Sequence, residues 1–243
     1  MTEAHRARLF ATYNETHVTH LDPGDSVKMG WFRNYARRHY LPRLTALNPS
    51  QARVLDIGCN KGYLLAVLAE HGFEHLVGVD LSPVDVEIAK GIAPTATIHC
   101  VDAFDYLAQQ LDQFDAIVLK AVLEHLPKSE TLPMLEAIRR ALKPGGMVLV
   151  DVPNMDWFFA THERYMDFTH EAGFTPESLH QVLGNVFAQV AVFPVDSSPD
   201  DGWRLIKKRV ARFLLSRLFL WADAEGGRLP IWSRSLVGIG SKP

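Results

Sequence analysis

Cysteine is scarce in this chain of 243 residues: only Cys59 and Cys100 occur. Two thiols are too few for a structural zinc site, and the scarcity fits a reducing compartment in which each thiol is a buried strand-end residue. No uncharged apolar run approaches the length of a membrane span. Met1 to Asn14 is polar and mixed in charge, so no secretory leader is read there, and a cytoplasmic location is expected. An excess of one charge is also missing: the formal net charge is −3, and nothing global points to nucleic acid as a partner. Neither an internal repeat nor a low-complexity tract interrupts the chain. What remains is 47% hydrophobic and 22% charged, the balance of one folded domain with additions.

Short apolar runs alternate with helical periods. Strands are expected at 53–57, 75–80, 97–101, 114–119, 147–152, 186–193 and 235–240, with helices at 62–71, 83–91, 104–111, 129–142 and 175–183. This alternation predicts an α/β fold, a mostly parallel doubly wound sheet with helices on both faces. Pro144-Gly145-Gly146 is read as a breaker and turn that ends one helix just before the fifth strand.

The most informative stretch is Val54-Leu55-Asp56-Ile57-Gly58-Cys59-Asn60-Lys61-Gly62-Tyr63, an apolar run that meets a carboxylate and breaks into a glycine-bearing turn before a helix. Strand, tight turn and helix in that order bring backbone close to a nucleotide. A second acid, Asp80, ends the next strand and can bind a ribose diol. A dinucleotide fingerprint requires G-x-G-x-x-G, whereas here Asn60 stands where the middle glycine belongs. Asp56 would repel a pyrophosphate but suits an ammonium group. S-adenosylmethionine carries that ammonium, a sulfonium and no phosphate. The pattern resembles the glycine-rich first motif of class I S-adenosylmethionine-dependent methyltransferases. Asn60 is expected to be tolerated because asparagine enters the left-handed region more readily than other side chains.

That resemblance implies a seven-stranded Rossmann-like fold whose last strand returns antiparallel between the fifth and sixth. Carried over position by position, it implies that Asp56, Gly58, Cys59 and Gly62 hold the methionine end of S-adenosyl-L-methionine. Asp80 would take the ribose hydroxyls, with Leu81 against the adenine face. Asp102, with Ala103 beside it, would accept from the adenine amino group, and Lys120 would line the sulfonium end. Asp102 has a competing reading as a helix cap. Residues 1–50 are expected to form a helical cap over the cofactor, 51–193 with 234–243 the methyltransferase core, and 194–233 a helical insertion.

On the acceptor side, Glu124-His125 directly follows the fourth strand, as in small-molecule O-methyltransferases of the family. The Asn/Asp-Pro-Pro-aromatic turn of amino-nitrogen methyltransferases is absent there, which favours an oxygen acceptor. An alcohol must lose its proton as the bond forms, and His125 is a candidate base. After the fifth strand, the run from Tyr165 through Asp167, Phe168, Thr169 and His170 to Leu179 resembles methyltransferases of bacterial glycan assembly. Asp167 and His170 are read either as an oriented acid–base couple or as loop staples. No metal is expected, because His162, Asp167 and His170 do not form a recognised ligand pattern. Thr175-Pro176 reads as a helix cap.

Lys28, Arg33 and Tyr35 lie on a helical segment ahead of the first strand and are candidates for the methionine carboxylate or an acidic acceptor, with His17 and His20 before them. Within the insertion, 203–221 reads as a long amphipathic helix with Ile206, Val210, Phe213, Leu214, Leu218 and Trp221 at helical spacing. Such a helix can lie at the inner face of a membrane, form a homodimer interface or pack on its own domain. The function expected is an O-methyltransferase acting on a hydroxyl of a glycan, sugar or glycolipid precursor. The alternatives are a carboxyl or phenol of a small or lipid-like molecule, a non-catalytic S-adenosylmethionine-binding protein, and a nicotinamide oxidoreductase.

Overall fold

The structure, a computed structural model, describes residues 5, 8–10, 13, 24–195, 202–222 and 233–243. The expectations for His17 and His20, and those parts of the insertion at 196–201 and 223–232, lie outside the described residues. Seven strands form one sheet: β1 (Arg53–Ile57), β2 (His75–Asp80), β3 (Thr97–Cys100), β4 (Phe114–Lys120), β5 (Leu142–Pro153), β6 (Gln189–Val195) and β7 (Ser235–Ser241). Their spatial order is β3-β2-β1-β4-β5-β7-β6. The pairs from β3 to β5 are parallel, and β7 runs antiparallel to both β5 and β6. From Asp25 onward the α-helices are α1 (Asp25–His39), α2 (Leu41–Leu44), α3 (Tyr63–Glu70), α4 (Pro83–Ile92), α5 (Ala103–Ala108), α6 (Lys128–Ala141), α7 (Ala160–Tyr165), α8 (Pro176–Gly184) and α9 (Gly202–Ala222) among the described residues.

The period-2 rule divides the strands between two apolar layers. Leu55, Ile117, Leu119, Val148 and Val150 face Leu107, Met134, Leu135, Ile138, Leu179 and Leu183, from α5, α6 and α8. Val54, Ala116, Val118 and Leu149 face Tyr35, Tyr40, Leu64, Leu68 and Ala89, from the opposite helical layer. Because both faces are buried, the parallel strands read as continuous apolar runs. Their carboxyl tips are where polar residues begin. Helix starts are set locally as well. Ser82 caps α4 through Asp85 N, and Thr175 with Ser178 forms a reciprocal capping box on α8.

Three expectations need correction. Pro144-Gly145-Gly146 lies within β5 instead of ahead of it. Leu142 already pairs with Phe114, and the turn is taken up as a register shift before Met147 pairs with Ala116. Gly145, with φ 76, makes that loop-out compatible with a continuing strand. Cys59 is buried, but Cys100 is exposed, because β3 is an edge strand with only Ile98 turned into the core. The apolar stripe of α9 does not pack on the domain: Ile206, Val210, Phe213, Leu214, Leu218 and Trp221 are all exposed, and among the described side chains of this helix Leu205 and Ser216 are buried. No helix among the described residues is long and apolar enough to cross a membrane.

Candidate functional site

The first part of the site is built at the tips of β1, β2 and β3. Gly58, Asn60 and Gly62 all take left-handed backbone, with φ 70, 46 and 76. A Cβ on Gly58 would stand 2.4 Å from Val122 Cγ2, so glycine is required there by packing as well as by φ. Asn60 holds its conformation through Nδ2, which donates to Asp85 at 3.2 Å. Its backbone N–H donates to Asp80 Oδ2 at 2.7 Å, while Ser82 N–H donates to Asp80 Oδ1 at 2.9 Å. The turn and the second acid are therefore one hydrogen-bonded unit. Val101 N–H donates to Asp80 C=O, tying the tip of β3 to the same unit.

Asp56 is buried, and no donor among the described residues reaches its carboxylate. Burial first, then the neighbouring Asp80, push its carboxyl up to about 8, with Lys120 pulling the other way. Burial also raises Asp80, although the N–H groups of Ser82 and Asn60 oppose the rise. A buried acid without an internal partner beside a doubly held acid is a donor-hungry pair, and it fits the ammonium and ribose diol of S-adenosylmethionine. Leu81 is largely exposed next to it, a bare apolar face. Cys59 is a buried wall residue whose thiol is raised by burial, then by Asp56 and Asp80. Asp102 caps α5, accepting from Phe104 N–H at 2.7 Å and Asp105 N–H at 3.4 Å through Oδ1. The helix-cap reading of Asp102 holds, its Oδ2 has no partner among the described residues, and Ala103 is the first residue of the capped helix.

Lys120 ends β4 and joins the two halves of the site. Its ammonium lies 3.4 Å from Asp151 Oδ2 and 4.7 Å from the centre of the Tyr35 ring. Asp151, buried on β5, also accepts from the hydroxyls of Tyr35 and Tyr40. Burial, then Asp151, raises both tyrosines, so each keeps its proton and remains a donor. This knot fastens the N-terminal helical segment to the sheet. It also removes two candidate ligands: Tyr35 is committed to Asp151, and Arg33 forms an exposed bidentate pair with Glu70. Lys28 does not line the pocket described next.

Beyond Lys120 lies a cavity of about 320 Å³ lined by residues that include Tyr13, Glu124, His125, Asp151, Asp167 and His170. A short 3-10 helix, Leu123–His125, supplies Glu124 and His125. The loop between α7 and α8 supplies Asp167 and His170, and backbone bonds hold it in place. Glu171 and Ala172 N–H both donate to Glu124 C=O, at 2.8 and 3.0 Å, and the Arg164 guanidinium bonds the carbonyls of His170 and Glu171. His125 and His170 consequently meet edge to face, with ring centres 4.7 Å apart. The Asp167–His170 couple does not close to hydrogen-bond distance: His170 Nε2 and Asp167 Oδ2 are 4.0 Å apart. Asp167 instead accepts from Thr169 N–H at 2.8 Å, Thr169 Oγ1 at 2.6 Å and Tyr13 Oη at 2.7 Å. Burial alone would raise Asp167, but the bonds from Thr169 and Tyr13 outweigh it and hold the carboxyl below its ordinary value.

Glu124 presents the opposite case. It is 2% exposed, and neither carboxylate oxygen has a hydrogen-bond partner among the described residues. Burial pushes it up to about 8, with Asp151 and Asp167 adding to the rise. Glu124, His125 and His170 each offer one ligand atom within 4.8 Å of the others; the sequence-level trio of His162, Asp167 and His170 shares only His170 with this group. Asp151, Tyr13 and Glu163 were not expected at the site. Only the acid two residues before the end of β5 carried a signal, as a carboxylate at a fourth strand tip.

A family described as "Methyltransferase domain" matches residues 29–186. Among characterised proteins, a ubiquinone biosynthesis O-methyltransferase of Xylella fastidiosa is 35% identical over 127 residues, 50% of this chain and 49% of that protein. One of the same name from Idiomarina loihiensis is 29% identical over 136 residues, 53% of each. The chain thus spans about half the length of the relatives it matches. Among solved structures, a SAM-dependent methyltransferase from Archaeoglobus fulgidus superposes with a TM-score of 0.67 at 21% identity, covering 96% of this chain and 99% of that one. An S-adenosylmethionine-dependent methyltransferase from Mesorhizobium loti gives a TM-score of 0.57 at 17% identity, covering 82% and 96%. At these identities the structural likeness speaks for the fold.

Proposed function

This chain belongs to the methyltransferase-domain family, and from that premise we propose that it is an S-adenosylmethionine-dependent O-methyltransferase whose acceptor is a hydroxyl, of phenolic kind, on a small, partly apolar molecule. The observation that carries the reading is Lys120, which sits between the acid-lined turn and the histidine pocket and acts electrostatically on both. Donor and acceptor sites that share one wall residue can bring two reacting atoms together. The Xylella and Idiomarina relatives take their names from ubiquinone biosynthesis. Those names support a small-molecule acceptor over the glycan expected from the Tyr165–Leu179 pattern.

S-adenosylmethionine, when bound, supplies a methyl group already activated on a sulfonium. The protein's share is positioning and exclusion of water. Asp56 would hold the ammonium, Asp80 the ribose hydroxyls, and the left-handed turn would leave backbone room between them. Asp151 balances the Lys120 charge, so the wall of the site is not left cationic against a sulfonium. Of the acids lining the acceptor cavity, Asp151 is paired with Lys120 and Glu163 with Arg234, burial keeps Glu124 protonated up to about 8, and Asp167 is held ionised by its hydrogen bonds. An anionic carboxylate acceptor would be repelled there, whereas a neutral hydroxyl would not. Its proton is handled by the His125–His170 pair.

The test is transfer of labelled methyl from the cofactor to a panel of phenols, catechols, sugars and fatty acids. A base-stable methyl ether on a phenolic hydroxyl is expected, with a loss of at least about tenfold in His125→Ala or His170→Ala. A base-labile ester, a methylated sugar, or cofactor binding with no turnover on any acceptor would refute the assignment.

A further inference from the structure

We propose that the outward face of α9, Gly202–Ala222, is a docking surface for a bilayer containing anionic phospholipid, on which the helix lies in the plane of the headgroups. The proposal goes beyond methyl transfer and holds whichever acceptor is used. The helix stands outside residues 29–186, the part that matches the methyltransferase family, so its role is read from its own surface.

An α-helix turns about 100° per residue. Trp203, Val210, Leu214 and Trp221 therefore fall on one line along α9, whereas Leu205 and Ser216, both buried, fall on the opposite side. The four residues on the line are 52% to 83% exposed. From Trp203 to Trp221 the line runs about 27 Å, at about 1.5 Å per residue, and Ile206, Phe213 and Leu218 widen it. An apolar strip of this length, turned away from its own domain, marks an interaction surface. Tryptophan at both ends suits the depth of lipid headgroups, where one edge of the ring is wet and the other apolar.

Charge selects the occupant. Arg204, Lys207, Lys208, Arg209, Arg212 and Arg217 are all basic, and no acid occurs between Gly202 and Ala222, in a chain whose formal net charge is −3. Lys207 and Arg217 stand one on each side of the apolar line. The Lys207 ammonium lies 5.8 Å from the Trp203 ring centre, and the Arg217 guanidinium 5.1 Å from that of Phe213. Their stems thus run along apolar surface and bring the charged heads to its margin, the arrangement that reaches headgroup phosphates while the rings sink below them. A second copy of this chain fits less well. Antiparallel pairing of two such faces about Arg212 would set Lys207 of one copy against Arg217 of the other. Nucleic acid would use the cations and leave the apolar line in water. An anionic bilayer satisfies both features at once. No helix among the described residues is long and apolar enough to cross a membrane, so α9 lies on the surface.

The full chain is floated with vesicles of phosphatidylcholine alone and with vesicles carrying about 30% phosphatidylglycerol, at low salt and at about 0.5 M salt. Binding to the anionic vesicles at least tenfold tighter than to the neutral ones, and weakened several-fold by salt, is expected. Phe213→Glu combined with Leu218→Glu should reduce it at least tenfold. Lys207→Gln combined with Arg217→Gln should remove most of the preference for anionic lipid, and this pair tests the surface even if the Glu pair disturbs the fold. S-adenosylhomocysteine affinity, measured by calorimetry, should be unchanged in the Gln pair. Absence of flotation by wild type, equal binding to neutral vesicles, or undiminished binding in both variants overturns the proposal. So does a dimer in sedimentation velocity that the Glu pair dissolves, or binding to a duplex oligonucleotide as tight as to the anionic vesicles. Flotation without methyl transfer to any acceptor leaves the surface standing and removes the functional reading; transfer by a protein that never floats does the opposite.

Discussion

The two halves of the site are assembled in different ways. The cofactor half is contiguous: Asp56, Gly58, Asn60 and Gly62 lie on one turn, and Asp80 bonds directly to that turn's backbone. The acceptor half gathers Tyr13, Glu124 with His125, Asp151 and the Asp167–His170 loop, pieces that meet only through tertiary contacts. One half is a local consequence of strand, turn and helix. The other exists only once the whole domain has closed.

That contrast can be tested from its strongest point downward. Asp80→Ala should cost S-adenosylhomocysteine about a hundredfold or more in affinity, on the order of 3 kcal/mol, because two hydroxyls lose an ionised partner. Calorimetry measures it, and an acceptor-side signal unchanged by the substitution would sharpen the division. Next comes pH. Asp56 stays protonated up to about 8 in the free protein, and an ammonium requires the carboxylate. Affinity for S-adenosylhomocysteine should therefore rise between pH 6 and 8.5, by up to about tenfold per unit below 8, and Asp56→Asn should flatten the rise. The sign for stability is opposite. A folded-state value above the ordinary 3.8 means that ionisation opposes folding progressively from about pH 4 to 8. The thermal advantage of Asp56→Asn should grow across that window, and an advantage independent of pH would contradict the burial of this group.

Gly58→Ala is expected to destabilise the fold by about 1–3 kcal/mol in urea unfolding, from positive φ and the Val122 contact together. Adding Val122→Ala should recover only the steric share. On the acceptor side, Tyr13→Phe removes the hydroxyl that reaches Asp167 and should raise the acceptor KM several-fold, about 1 kcal/mol, with cofactor affinity unmoved. A matching loss of cofactor affinity would break the division between the halves. The smallest effect belongs to Asn60→Gly. Relief of the left-handed backbone there offsets the lost bond to Asp85, leaving a net change below about 1 kcal/mol.

This asymmetry also decides what could be read from the chain alone. The order of strands and helices was legible because buried parallel strands are short apolar runs punctuated by turn residues, and Asp56, Gly58, Gly62 and Asp80 stand at those punctuation marks. Asn60 was legible too, since few side chains accept its φ. The Asp151 knot was not: a lone acid inside an apolar strand gives no hint that Tyr35, Tyr40 and Lys120 converge on it. Asp167 and His170 carried two readings, and tertiary structure shows the loop staple: Asp167 accepts from Thr169 N–H and His170 Nδ1 bonds the Glu163 carbonyl, while the couple itself stays open at 4.0 Å. Cys100 was misread because strand periodicity does not say which strand lies at an edge. The outward stripe of α9 was visible in sequence, but its orientation depends on where the insertion lands.

The strand that comes seventh along the chain is sixth across the sheet, and β6 has no other neighbour in that sheet. Until Ser235–Ser241 slides into place, a newly made molecule has five paired strands, with the long margin of β5 bare and β6 adrift. Bare margins invite pairing with other chains. Completion by a late inner strand therefore makes assembly all-or-none near its close: a substitution such as Val237→Pro, which removes one rung donor, should yield insoluble protein instead of a weakened enzyme.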